Sequence, residues 1–95
     1  MATLMKIDGK TEEVFPKDKK RGFTLEELYA LVGGNCRVIE APGPFKDGRF
    51  MVMDEEGKFN GQELNVEASE KFYKEFGCID LIMGNVIMVT NKEFH

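Results

Sequence analysis

The sequence predicts a small α+β domain in which a mixed or antiparallel β-sheet is covered by two helices. Three observations carry this reading: a capped amphipathic run from Thr24 to Val32, a second helical run with Ala68, Phe72 and Phe76 four residues apart, and β-rich segments divided by Asp8-Gly9 and Asp47-Gly48. Ninety-five residues suffice for one hydrophobic core and leave little for a second, so residues 1–95 read as one domain, with 91–95 expected to form a mobile tail. No internal repeat or low-complexity linker argues for duplication.

Thr3 to Ile7 and Glu12 to Phe15 read as strands joined at Asp8-Gly9, because both turn residues tolerate positive φ. Pro16 and the charged residues through Arg21 then leave the sheet. Thr24 can cap the first helix with its hydroxyl, and Glu27 stands at the reciprocal capping-box position. Phe23 and Leu28 match a hydrophobic staple. Leu25, Leu28 and Val32 share one face, widened by Tyr29 and Leu31, and Gly33 can end the helix without a side-chain clash.

Cys36 to Glu40 returns to an extended pattern that Ala41-Pro42-Gly43-Pro44 interrupts. Arg49 to Asp54 follows as a strand whose two faces are both apolar, Phe50 and Val52 opposing Met51 and Met53, which places it centrally. Residues 55–58 read as a turn, Asn60-Gly61 as another, with Lys58 and Phe59 making only a brief excursion along the sheet. Asn65 caps the second helix, Tyr73 broadens its packing face and Gly77 stops it. Residues 79–83 and 86–90 can form a hairpin around Gly84-Asn85; alternatively the first segment is a bridging turn before one terminal strand. The reversal required after the helix favours the bridge.

Composition narrows function by exclusion. At 42% hydrophobic and 11% aromatic residues, extensive disorder is not expected, and apolar runs of a few residues fall far short of the roughly 20 a membrane-spanning helix needs. Charged residues from Asp8 to Glu13 break any secretion-signal pattern, so the chain reads as cytoplasmic, with Cys36 and Cys78 as reduced thiols. Residues 51–80 hold eight Asp/Glu against three Lys/Arg, which disfavours phosphate over that surface. Lys17, Lys19, Lys20 and Arg21 form a basic exception but lack interleaved aromatics, so sequence-specific DNA reading is not expected.

No catalytic constellation is visible. His95 is the sole histidine and terminal, which suits a positioned base poorly, and Cys36 has no partnered base in the sequence. Asp54, Glu55 and Glu56 are the densest carboxylates, yet they lack calcium-loop spacing and read as a charged turn. No metal or cofactor is expected. The candidate ligand-binding residues are Lys19, Lys20, Arg21, Gly33, Gly34 and Asn35, since paired glycines can present backbone N–H groups, although a helix C-terminus opposes an anion. The candidate interaction residues are Met51, Met53, Asp54, Glu55 and Glu56, the thioethers adding adaptable apolar surface alongside Met83 and Met88.

The ordered combination of Leu25-Glu26-Glu27-Leu28, Leu31-Val32-Gly33-Gly34, Asp47-Gly48-Arg49, the run from Met51 to Lys58, Leu64-Asn65, Ala68 and the run from Ile82 to Ile87 carries a further signal. Over residues 4–90 the chain resembles a family of short bacterial, bacteriophage and mobile-element proteins known only as a domain of unknown function. The segment 41–45 and the tail through Phe94-His95 look less typical of it. That resemblance implies a compact α+β accessory or host-interaction protein and supplies no catalytic residues. The leading expectation is a noncatalytic module binding a protein partner or a second copy of itself. The alternatives are a small-ligand or nucleotide sensor or sponge, and a structural homo-oligomer.

Overall fold

A computed structural model describes residues 2–34 and 36–94. Five strands, β1 (Ala2–Met5), β2 (Thr11–Val14), β3 (Ile39–Glu40), β4 (Phe50–Asp54) and β5 (Val86–Val89), form one antiparallel sheet in the order β2-β1-β5-β4-β3. Two helices, α1 (Leu25–Val32) and α2 (Val66–Phe76), complete the α+β architecture.

Register explains how the sheet is covered on both sides. Leu4, Ile87 and Val52 stand opposite one another across β1, β5 and β4, while Thr3, Met88 and Met51 form the next row. Successive strand residues point to opposite faces. The first row packs with Leu28 and Val32 of α1, and the second face meets Ala68 of α2 together with Phe45, Met53 and Ile82. The helices therefore lie on opposite faces of the sheet, and β4 is interior, as its doubly apolar pattern predicts.

Thr24 forms both halves of the capping box: its Oγ1 accepts the Glu27 N–H at 3.1 Å, and Glu27 Oε1 accepts the Thr24 N–H at 2.9 Å. Phe23 and Leu28 are buried, but Leu25 is 55% exposed. Position 25 begins the helix on the flank away from the sheet, so the apolar stripe is narrower than its spacing suggests. The extended segment expected from Cys36 also shortens to the two residues of β3. Cys36 turns inward, its Sγ donating weakly to the Val38 carbonyl at 3.8 Å, and regular pairing starts only at Ile39 opposite Asp54. Lys58 and Phe59 make no strand excursion: residues 55–61 are turns.

Asn65 ties α2 to the sheet. Its Oδ1 accepts the Ala68 N–H at 3.0 Å, while Nδ2 donates to the carbonyls of Met5 and Gly84 at 3.0 and 2.9 Å. Gly77 closes the helix in the left-handed conformation, with φ of 71° and its N–H donating to the Tyr73 carbonyl. Residues 79–83 form no strand; a single bridge joins Leu64 to Met83, and Gly84-Asn85 leads into β5. The bridging path is thus the one taken.

The end of the chain is secured through Phe94. Phe23 N–H donates to the Glu93 carbonyl at 2.8 Å, Glu93 Oε1 accepts from the backbone and hydroxyl of Thr90, and Phe94 packs against the core beneath α1. Residues 91–94 carry these contacts; His95 lies outside the described residues. Among the described residues, no helix is long and apolar enough to cross a membrane.

Candidate functional site

The structure places the predicted ligand residues at opposite ends of α1. Lys19, Lys20 and Arg21 precede its cap in a loop closed on Asp18, whose Oδ1 accepts the N–H groups of Lys20 and Arg21 at 2.9 and 3.2 Å. Gly33 and Gly34 follow its last turn, at the other end of a helix about 12 Å long. Asn35 lies outside the described residues. The bend instead meets Gln62, whose Nε2 reaches the Gly33 carbonyl at 3.3 Å. A Cβ on Gly34 would stand 3.1–3.2 Å from the Gln62 amide, and one on Gly84 only 2.6 Å from its Oε1. With φ of +62° and +85°, these two glycines admit the Gln62 side chain between them.

Gln62 links the bend to Asp54. That carboxylate is buried, its Oδ2 accepting from Asn60 Nδ2 and Gln62 Nε2, each at 2.9 Å, and its Oδ1 from the Glu56 N–H at 2.9 Å. Burial pushes the Asp54 carboxyl up, but these hydrogen bonds outweigh it and hold the group below its ordinary value. Asp54 thus serves as an internal acceptor that shapes the turn. Met51 and Met53 are also inside, packed beneath α2, and only Glu55 and Glu56 of the predicted interaction set are exposed.

Cys36 adjoins the same node. Burial first, and the Asp54 charge second, push its thiol up to about 11. A thiol so shifted is almost wholly protonated at neutral pH and is a poor nucleophile. Cys78 is exposed. With a disulfide-exchange reagent at pH 8, one thiol per chain is expected to react rapidly, Cys36 following only on unfolding. Equal rapid labelling of both would contradict the packing around Cys36.

One set of accessible apolar side chains lies on the α2 side of the sheet. Asn65 N–H donates to the Ile82 carbonyl at 2.8 Å, and Ile82 N–H donates to Ser69 Oγ at 2.9 Å. These bonds hold Ile82 inward, 2% exposed, so the neighbouring side chains in this extended stretch turn outward. Ile79 is 83% exposed, Leu81 54% and Tyr73 of α2 53%. Together with Ser69, Glu70, Lys74 and Asp80 they line an open groove of about 290 Å³.

A second cavity, about 170 Å³, lies across the 80–81 ridge. Glu40, Glu55 and Asp80 contribute carboxylates, Met53, Ile82 and Met83 apolar lining, and Lys58 the cation, 3.9 Å from Asp80. Burial, followed by the charges of Glu55 and Asp80, raises the Glu40 carboxyl above its ordinary value. Among the described residues, no group of three or more His, Cys, Asp or Glu side chains could hold a metal ion.

A wider groove of about 500 Å³ separates edge strand β2 from α1, lined by Phe15, Phe23 and Leu31. Of its polar lining, Glu27 is engaged within the chain, capping α1 and also accepting the Lys17 N–H at 3.0 Å. These internal hydrogen bonds, to Thr24 foremost and then Lys17, lower the Glu27 carboxyl.

Sequence reasoning missed Gln62, Ile79, Asp80 and Leu81 as site residues, and the reading of Tyr73 as part of the packing face of α2 is corrected by its 53% exposure. The outward pair follows from the hydrogen bonds of Ile82 to Asn65 and Ser69, since 79–83 form no strand whose alternation could have been read. Gln62 had no readable signal either, since its role depends on two glycines brought together from residues 34 and 84.

Fold and site define a small three-layer α+β domain with an open, partly apolar groove on one helical face. The chain belongs to the family described as Domain of unknown function (DUF3846), which matches residues 2–94. No curated protein and no solved structure gives a significant match.

Proposed function

We propose that the chain is a noncatalytic protein-docking module of the accessory or host-interaction kind implied by its resemblance to phage and mobile-element proteins. The exposure of Tyr73, Ile79 and Leu81 along one groove carries this reading. The hydrogen bonds of Ile82 fix their backbone, so burying them demands a partner surface rather than a local rearrangement. Covering each large apolar side chain is worth about 1.5–3 kcal/mol, which is enough for these residues to anchor an interface.

The double variant Ile79→Ser, Leu81→Ser tests this directly. Both side chains are surface groups, and such substitutions typically alter stability by less than about 0.5 kcal/mol each. Partner protein retained from a host extract by immobilised chain is expected to fall at least tenfold, with an unchanged unfolding midpoint. Undiminished retention, or loss that occurs only together with unfolding, would count against the proposal. Phe15→Ser, in the groove beside β2, serves as the control and is expected to retain partner normally.

A further inference from the structure

The docking reading above leaves the chemistry of the partner open, and the cavity beside the groove narrows it. We infer that the partner is a peptide segment bearing an Arg or Lys next to an apolar anchor, with the cationic side chain entering the cavity formed by Glu40, Glu55 and Asp80. This inference rests on the docking reading and adds a charge requirement to it.

Three observations converge. First, the groove and the cavity share Asp80 and Leu81, so an extended segment crossing the 80–81 ridge would place neighbouring side chains in the two depressions. Second, the cavity lining is acidic: its carboxylates can meet a charged head, and the half-buried Met83 is the apolar side chain along which an aliphatic stem can lie, Met53 and Ile82 being almost wholly buried. Lys58 is the only cation among the lining residues, and its 3.9 Å approach to Asp80 leaves Glu40 and Glu55 uncompensated by it. The upward shift of Glu40 reflects that unrelieved repulsion after burial. Third, Glu40, Glu55 and Asp80 border one cavity, so a guanidinium, with five N–H donors spread over a planar fork, can meet more than one of them at once.

Glu70 is matched by Lys74 and Asp80 is paired with Lys58, so the groove itself is near neutral and the charge discrimination lies with Glu40 and Glu55 of the cavity. A second copy of this chain, offering its own basic loop 17–21, is the competing occupant that the test below distinguishes.

The test uses three fluorescein-labelled twelve-residue peptides that share leucine anchors and differ at the charged positions, carrying arginine, citrulline or glutamate. By fluorescence anisotropy the arginine peptide is expected to bind saturably and at least tenfold more tightly than its neutral citrulline counterpart, with the glutamate peptide weakest. Glu40→Gln combined with Glu55→Gln is expected to remove that preference while leaving the unfolding midpoint unchanged. Equal binding of arginine and citrulline peptides, both lost in Ile79→Ser, Leu81→Ser, would overturn the charge requirement and leave the docking groove standing. Arginine-peptide binding indifferent to that groove variant would overturn both. Absence of saturable arginine-peptide binding, or displacement of the peptide by equimolar spermidine or by equimolar free chain at its basic loop, would overturn the inference.

Discussion

Asn65→Ala is expected to lower unfolding stability by about 3 kcal/mol, a large part of the ~5–15 kcal/mol typical of a domain. Loss of an N-cap accounts for ~1 kcal/mol. The remainder arises because Asn65 is fully buried and its Nδ2 satisfies the Met5 and Gly84 carbonyls, which the substitution would leave without their donor. Each buried group so stranded costs roughly 1–3 kcal/mol. Asn65→Asp separates the two contributions. Its oxygen can still accept the Ala68 N–H, but a carboxylate would face both carbonyls at close range. Urea unfolding at pH 7 is therefore expected to show Asn65→Asp at least as destabilised as Asn65→Ala. An aspartate variant of wild-type stability would mean that Asn65 acts only as a cap.

Ile87→Ala is expected to cost about 2–5 kcal/mol, and Ile87→Val about 0.5–1.5 kcal/mol. Ile87 is fully buried on the central strand between Leu4 and Val52, beneath Leu28 and Val32. Neighbours on two strands and a helix cannot all relax into the space that alanine would leave. A loss below ~1 kcal/mol for the alanine variant would contradict the sandwiching of β5 between two layers. The same substitution should leave groove binding intact wherever the chain remains folded, since Ile87 faces α1 and the groove lies on the α2 side.

Most of the fold was legible because local signals and burial agree. Thr24 and Glu27 announce α1, Asn65 and Gly77 bound α2, and Met51 to Met53 with Val52 between them mark a strand covered on both faces. The errors are those of tertiary context. Leu25 has the right spacing for the apolar stripe but falls on its open flank. Cys36 looks extended yet turns inward toward Asp54. The methionines of β4 look like adaptable surface and are core, because α2 covers them.

The candidate site was less legible. Gly33-Gly34 is conspicuous in sequence, but its neighbour in space is Gln62, and the basic loop stands at the far end of α1. The groove depends instead on Ile82 being held inward by Asn65 and Ser69, which forces Ile79 and Leu81 out. Contacts between residues 13 or more apart fix that outcome, beyond the reach of pattern along the chain.

The central claim is that recognition occurs on the α2 face across the 80–81 ridge. Backbone amide chemical-shift mapping during titration with the arginine-leucine peptide tests it most directly. The expected result is a set of saturable shifts confined to residues 53–58, 69–74 and 79–83, with 13–31 unmoved. Shifts centred on β2 and α1, with residues 79–83 unaffected, would contradict it.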